Sequence, residues 1–169
     1  MYDLPTFLDY WESVRKRTKR VAACIPEDQL EWAPAEGRWS CGDILRHLAG
    51  IERHMYAQTV SGKPSSYLGH DRSIAEGSAA IVAYLDRCHA ESMEIFRGLT
   101  EEQWTGKCFT PAGTPITTWK WLRLMPEHEA HHRGQLYQIL GELNVKTPPL
   151  YGLSEEEVVA RVGSEGRPT

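Results

Sequence analysis

Two histidines four residues apart carry the clearest chemical signal in this sequence. His128 and His132 lie in the run His-Glu-Ala-His-His, inside a longer stretch with helical periodicity. On a helix, residues four apart lie one turn apart on the same face, with Cβ atoms about 5–6 Å from each other, so both imidazoles can bind one metal ion. The run also matches the H-E-x-x-H pattern of zinc hydrolases, in which the glutamate activates water.

An open metal site needs a third protein ligand, and His47 is the strongest candidate in the sequence. It interrupts the apolar stripe of a second helix at Ile44, Leu48 and Ile51. The sequence leaves two interpretations open, a metal ligand or a core histidine that hydrogen-bonds elsewhere. Two helices that face each other in a bundle could bring His47 to the pair. His54 lies two turns further on, about 10 Å along the axis, which is too far to bind the same ion.

Three side chains next to the pair are candidates for handling a proton or a substrate carboxylate: Glu129, His131 and Arg133. Glu129 points about 100° around the helix from the preceding histidine, so it could instead be a carboxylate that packs at the helix edge. His131 is expected to be partly exposed at the edge of the ligand face, because adjacent helical residues do not face alike. His70 and His89 belong to no pattern and are predicted to be surface residues.

Four long segments with a helical spacing of apolar residues predict the elements that must position these side chains. They span about residues 6–23, 40–61, 73–99 and 117–143. No segment is convincing as a strand. The chain is therefore predicted to be all-α, a single domain of residues 1–169 built as a four-helix bundle. Facing helices of such bundles commonly form metal sites.

Capping and breaking residues refine these boundaries. Ser40 can cap the second helix while Asp43, three positions on, reaches back toward it, which resembles a capping box. Pro126 lies inside the fourth segment, so we expect a kink or a restart just before the histidines. Residues 106–115 are polar and contain glycine and proline, which predicts a loop or a short hairpin. A short C-terminal helix is predicted from Ser154.

The composition argues against several classes of protein. The net charge is −4, and the one dense basic cluster, residues 15–20, is expected to be a solvated helix face, so no nucleic-acid partner is predicted. No run approaches the roughly 18 apolar residues of a membrane span, and the N-terminus lacks the pattern of a signal peptide. The four cysteines include no C-x-x-C pair. We therefore expect a cytoplasmic protein with reduced thiols and no membrane partner.

Three stretches together resemble the DinB/YfiT family of small metalloenzymes. They are RWSCGDILRHLAGIERH around His47, HEAHHRGQLYQILGEL around His128 and His132, and the approach W-x-P-A-x-G-x-W-S from Trp32 to Ser40. The resemblance covers most of the chain up to the end of the fourth helical segment. It implies a four-helix bundle of up-down-down-up connectivity, a homodimer, and one divalent metal ion held by His47, His128 and His132.

The family resemblance also implies a class of reaction. Several relatives are thiol S-transferases or isomerases that use a low-molecular-weight thiol such as bacillithiol or mycothiol, and many others have no known substrate. A metal-dependent transfer or isomerisation of a small-molecule substrate with a thiol cosubstrate is therefore expected. An open three-histidine site suits this chemistry, since a metal ion lowers the pKa of a bound thiol. Nitrogen-only ligands favour Zn²⁺, with Ni²⁺ or Mn²⁺ as rivals.

Two other functions stay open at this point. A zinc hydrolase would keep His128, Glu129 and His132 and take its third ligand from the glutamates at positions 155–157, because the metzincin extension is absent. A three-histidine site with open coordination also suits a non-catalytic metal- or ligand-binding module. Turnover with thiols and electrophiles separates such a module from an enzyme.

Overall fold

Helices form nearly all of the regular structure in the computed structural model, which describes residues 3–164. The helices are α1 (Leu4–Ala22), α2 (Cys41–Ile51), α3 (Ala57–Val60), α4 (Ser78–Arg97), α5 (Glu101–Thr105), α6 (Thr118–Glu142) and α7 (Glu155–Ser164). A π-helical turn, Glu52–Tyr56, joins α2 to α3. Strands β1 (Lys107–Phe109) and β2 (Pro115–Thr117) pair antiparallel in a small hairpin. The all-α prediction is confirmed, and none of the described helices is long and apolar enough to cross a membrane.

The four long helices, α1, α2, α4 and α6, pack as a bundle in which α1 and α2 each contact both α4 and α6. Two apolar clusters fill its interior, one around Leu45 and Leu136 and the other around Trp104 and Met125. Along the chain, α1 and α6 pass from the second cluster to the first, whereas α2 with its extension and α4 pass from the first to the second. The predicted up-down-down-up connectivity is therefore confirmed.

Local signals decide where the helices begin. The Ser40 hydroxyl accepts a hydrogen bond from the Asp43 N–H and the Asp43 carboxylate accepts one from the Ser40 N–H, so the predicted capping box is present. α4 begins at Ser78 rather than near residue 73, after Gly77 with a φ of +82°, which glycine adopts without strain.

α6 continues through Pro126 without the predicted restart, because its packing on α1 and α2 offsets the one hydrogen bond that proline removes.

The π-helical turn changes the inward face of the second helix. Buried positions recur every four residues, at Ile44, Leu48, Glu52 and Tyr56. In an ordinary α-helix, Ile51 would follow Leu48 on the buried face, as the apolar stripe predicts. Here Ile51 is only partly buried. The wider turn therefore carries a carboxylate, that of Glu52, into the middle of the bundle.

A layer of polar side chains separates the two apolar clusters. Each long helix contributes to it: Arg15 comes from α1, Glu52 from the extension of α2, His89 from α4 and Glu129 from α6. Arg15 Nη2 lies 2.5 Å from Glu52 Oε2 and 3.2 Å from Glu129 Oε2, and all three side chains are at most 2% exposed. His89 Nδ1 lies 2.9 Å from Glu52 Oε1. We call these four residues the polar layer.

Two sequence predictions fail in the polar layer. The expectation that residues 15–20 form a solvated face is wrong for Arg15, whose guanidinium is buried as the counterion of two carboxylates. The prediction that His89 is a surface residue is also wrong, because its ring is mostly covered and bonded to Glu52. Buried charges are tolerated when they are paired, so each member of the layer depends on the others.

We predict that Arg15→Met lowers the free energy of unfolding by about 3–5 kcal/mol, because it leaves two carboxylates buried without a cation. Chemical denaturation followed by circular dichroism measures the change. The matched control is Arg72→Met, which removes an exposed pair with Glu76 and should cost less than about 1 kcal/mol. Adding Glu129→Gln to Arg15→Met should recover part of the loss. A loss no larger than that of the control would contradict the role of Arg15 as a counterion.

Candidate metal centre

Helices α2 and α6 bring three imidazoles to one point. His128 Nε2 lies 3.0 Å from His47 Nε2 and 3.1 Å from His132 Nε2, and the three candidate ligand atoms all lie within 4.8 Å of one another. Around a tetrahedral zinc ion with metal–nitrogen distances of about 2.0–2.1 Å, ligand atoms are about 3.3 Å apart. These residues therefore fit one shared divalent ion.

Hydrogen bonds at the other ring nitrogen hold two of these imidazoles. His47 Nδ1 lies 2.5 Å from the Tyr67 hydroxyl, and His132 Nδ1 lies 2.7 Å from Gln135 Oε1. An amide oxygen only accepts, so His132 carries its hydrogen on Nδ1 and keeps the Nε2 lone pair for a metal ion. The Tyr67 hydroxyl can accept the Nδ1 hydrogen of His47 in the same way, as partners of metal-binding histidines commonly do.

The surroundings keep the three rings neutral. Burial lowers the pKa of His47 to about 3 and the pKa of His128 to about 4, and the neighbouring histidines add to both shifts. Burial also lowers the pKa of His132, although its hydrogen bond to Gln135 acts in the opposite direction. Neutral imidazole is the form that binds a metal ion, so all three side chains are in the binding form at neutral pH.

Rings from outside these two helices cover one side of the histidine cluster. The Trp39 indole stacks on the His132 ring, with centroids 5.5 Å apart and planes 10° apart, and its centroid lies 4.9 Å from that of His47. The His70 ring packs on Trp39 at 4.2 Å and lies 6.2 Å from the His47 ring. His70, predicted to be a surface residue, is half-buried, because the crossover between α2 and α4 folds back over the site.

A cleft of about 550 Å³ opens beside the cluster. His132 and Trp39 line it next to the other histidines, and Ile44 and Ile139 add apolar walls. Its polar side chains, apart from His132, are Arg38, Gln135, Gln138 and Glu142. A cleft that combines apolar walls with several polar groups suits a small molecule with polar groups of its own.

A second buried arginine ties the surrounding loops to α2. Arg46 is buried and donates to both oxygens of Glu31, at 2.7 and 2.9 Å, and to Asp43 at 2.7 Å. Its Nε donates to the His70 carbonyl at 2.9 Å. Arg46 thereby connects the segment that leads to Trp39 with the crossover that lies over the site.

The structure separates the three residues predicted to handle protons or a carboxylate. His131 is exposed beside the cluster, and its ring centroid lies 5.0 Å from that of His132. Glu129 belongs to the polar layer, where burial raises its pKa. Arg133 is buried and donates to the Thr18 hydroxyl of α1. The geometry thus leaves His131 beside the site and turns the other two toward α1.

Alternative ligands lie apart from the cluster. His54 is not among the three residues that could share an ion, as its distance along the helix predicts. Glu156 and Glu157 line a separate cleft of about 880 Å³ beside Tyr137. The imidazole next to the pair is that of His47, so the arrangement gives no support to a zincin site with a glutamate as its third ligand.

Three residues beside the histidines were not predicted as site residues: Tyr67, His70 and Gln135. Gln135 could have been found, because it follows His132 by three residues on the same helical face and a metal-binding histidine needs an acceptor for its other nitrogen. Tyr67 and His70 lie in a crossover without periodicity, so no sequence signal places them.

Comparison with known proteins places these features in a family. The chain matches the DinB superfamily over residues 10–136. YjoA of Bacillus subtilis, an uncharacterised protein, is 26% identical over 148 residues, which cover 85% of this chain and 93% of YjoA. The crystal structure of YjoA, described as a DinB-like protein, has a TM-score of 0.65 at 23% identity and covers 82% of this chain and 92% of that one.

Two further solved structures share the fold. YfiT from Bacillus subtilis, described as a probable metal-dependent hydrolase with an unusual four-helix bundle topology, has a TM-score of 0.62 at 18% identity, over 82% of this chain and 88% of YfiT. The mycothiol-dependent maleylpyruvate isomerase has a TM-score of 0.62 at 17% identity, over 80% of this chain and 61% of the isomerase. At these identities the likeness shows the fold alone.

We predict that Glu31→Gln destabilises the protein at pH 7 by about 1 kcal/mol, a small value because water screens a partly exposed carboxylate. Hydrogen bonds from Arg46 lower the pKa of Glu31 in the folded protein. The pair therefore stabilises the fold above the ordinary pKa of a glutamate, and this contribution is lost as the pH falls through the lowered value.

Urea unfolding at pH 7 and at pH 3 measures the effect, with Glu94→Gln, an exposed carboxylate on α4, as the control. The loss caused by Glu31→Gln should shrink at the lower pH. An equal loss at both pH values would contradict the charge pairing with Arg46.

Proposed function

We propose that this chain, which belongs to the DinB superfamily, binds one divalent metal ion through His47, His128 and His132 and uses it to transfer or isomerise a small molecule with a low-molecular-weight thiol. The observation that carries the proposal is the convergence of the three imidazoles beside an open cleft, with one ligand atom of each ring within 4.8 Å of the other two. The fold shared with a mycothiol-dependent isomerase adds support for the thiol.

Three of the chain's own cysteines are poor nucleophiles, which supports a thiol supplied from outside. Cys41, Cys88 and Cys108 are buried. Burial raises the pKa of Cys41 to about 12 and the pKa of Cys88 to about 11. The thiolate is the reactive form, and these environments disfavour it. Cys24 is partly buried and donates its S–H to the Arg20 carbonyl.

Each residue around the histidine cluster has its own role in such a reaction. A divalent ion in the site would lower the pKa of a thiol bound to it. Tyr67 and Gln135 orient two of the imidazoles, and Trp39 keeps water from one side of them. His131 is exposed beside a ligand ring and can accept the thiol proton. The sulfur then bonds to an electrophilic carbon, and the leaving group departs with the electrons of the bond that breaks.

Hydrolysis is the second candidate, because YfiT is described as a probable metal-dependent hydrolase. In an H-E-x-x-H hydrolase, the glutamate accepts a proton from water. Here Glu129 lies 3.2 Å from Arg15 in the polar layer, so a hydrolytic site would need His131 as its base. The placement of Glu129 therefore favours the thiol reaction over hydrolysis of the zincin type.

We predict that the purified protein carries close to one divalent ion per chain. Zn²⁺ is expected, because three nitrogen ligands with an open position suit it, with Ni²⁺ or Mn²⁺ as alternatives. His47→Ala, His128→Ala and His132→Ala should each lower the affinity at least about 100-fold, and Tyr67→Phe about 10-fold. Elemental analysis and competition with a chromophoric chelator measure both effects.

The control for these variants is His54→Ala, which removes an imidazole outside the cluster and should leave metal affinity unchanged. His131→Ala should also retain the metal. If His47→Ala binds metal as tightly as the parent chain, the third ligand lies elsewhere and the proposed site is wrong.

We also predict metal-dependent conjugation of a thiol to an electrophile such as monochlorobimane, measured with glutathione, bacillithiol, mycothiol and cysteine in turn. Activity should vanish with a chelator and in His132→Ala, and return when metal is restored to the parent chain. His131→Ala should lower kcat at least about 100-fold with its metal content unchanged, because it removes a proton acceptor. Activity that survives metal removal would refute the mechanism. Metal binding without turnover of any thiol would indicate a non-catalytic module.

A further inference from the structure

The cleft beside the histidines carries two opposite charges in addition to the metal centre. Arg38 and Glu142 both line it, and both side chains are exposed, without an ion pair or hydrogen bond to another described residue. Gln138 is exposed in the same cleft. The oxygen of the Gln135 amide is engaged by His132, which leaves its N–H groups available. The cleft thus offers a cation, an anion and two amides to a ligand.

Helix α6 arranges most of these groups in a row. His132, Gln135, Gln138 and Glu142 follow one another at spacings of three and four residues, so they share one face of the helix. With a rise of about 1.5 Å per residue, Glu142 lies about 15 Å along the axis from His132. Arg38 reaches the same cleft from the segment before α2, directly next to Trp39.

We propose that this row selects a thiol of the peptide type, which carries amides, an ammonium group and a carboxylate. The inference rests on the proposed function, because the sulfur is placed at His132. The ammonium group pairs with Glu142, at the far end of the row, and a carboxylate pairs with Arg38, next to Trp39. The amides between them hydrogen-bond to Gln135 and Gln138, which present both donors and acceptors.

The length of the row discriminates among thiols. An extended peptide spans about 3.3–3.6 Å per residue, so each residue that a thiol carries beyond its cysteine extends its reach along the row toward Glu142 by that amount. Free cysteine, a single residue, reaches no further than Gln135, about 5 Å along the axis. A small neutral thiol such as 2-mercaptoethanol leaves both Arg38 and Glu142 without a partner.

The test is a binding titration of the protein loaded with Co²⁺, in which sulfur-to-cobalt absorption in the near ultraviolet reports the thiol. Glutathione serves as the zwitterionic peptide thiol and 2-mercaptoethanol as the neutral one. Glutathione should bind at least about 10-fold more tightly, since two partly exposed charged pairs add to its affinity. Glu142→Gln and Arg38→Gln should each weaken glutathione about fivefold and leave 2-mercaptoethanol unchanged.

The matched control is Glu127→Gln, which removes an exposed carboxylate of α6 that pairs with Arg123 and does not line the cleft. It should bind both thiols like the parent chain. Equal affinity for the two thiols, or glutathione binding that is unaffected by either cleft variant, would overturn the selection of a zwitterion and leave the proposed function standing. Absence of sulfur-to-cobalt absorption with every thiol would overturn the proposed function itself.

Discussion

The arrangement of the histidines depends on one buried cation, the guanidinium of Arg15. Its Nη2 contacts Glu52, the carbonyl of Leu48 next to one candidate ligand, and Glu129 next to another. Burying such a cluster adds little net stability, but sliding any helix along its axis would leave a charge without its partner. We interpret the polar layer as the feature that fixes the register of α1, α2 and α6. That register brings the Nε2 atoms of His47 and His128 to 3.0 Å.

Arg46 positions the loops that cover the site, whereas Arg15 positions the helices that carry the histidines. Arg46 is buried in the middle of α2, and apart from Asp43 of the same helix its partners lie on loops: the Glu31 carboxylate and the carbonyls of His70 and Ala75. Loops have little apolar area to bury, so hydrogen bonds to a charged group are what can hold them. The aromatic ring of Trp39 and the crossover above it are positioned in this way. Arg46 therefore helps to hold both of the segments that cover one side of the histidine cluster.

The bundle and the histidine pair could be predicted because both follow from spacing. Apolar residues at helical intervals locate the four long helices, and a histidine at every fourth position locates the pair on α6. The burial of Arg15 could not be predicted, because its carboxylate partners come from helices distant in sequence and one of them, Glu52, turns inward only through a π-helical turn. The position of His70 could not be predicted for a related reason, because a crossover without periodicity takes its shape from tertiary hydrogen bonds.

The resemblance of the α6 run to a hydrolase motif arises from two faces of one helix. His128 and His132 lie beside the cleft, whereas Glu129 and Arg133, one position later in each turn, are directed toward α1. The residues of each pair are four positions apart, but the first pair lies beside the cleft and the second pair contacts α1. In a hydrolase of this pattern the glutamate must be free to take a proton from water. Here the opposing helix supplies Arg15, which engages that carboxylate in the core. The chemistry of the motif is thus decided outside it, by the residue that α1 presents to the glutamate.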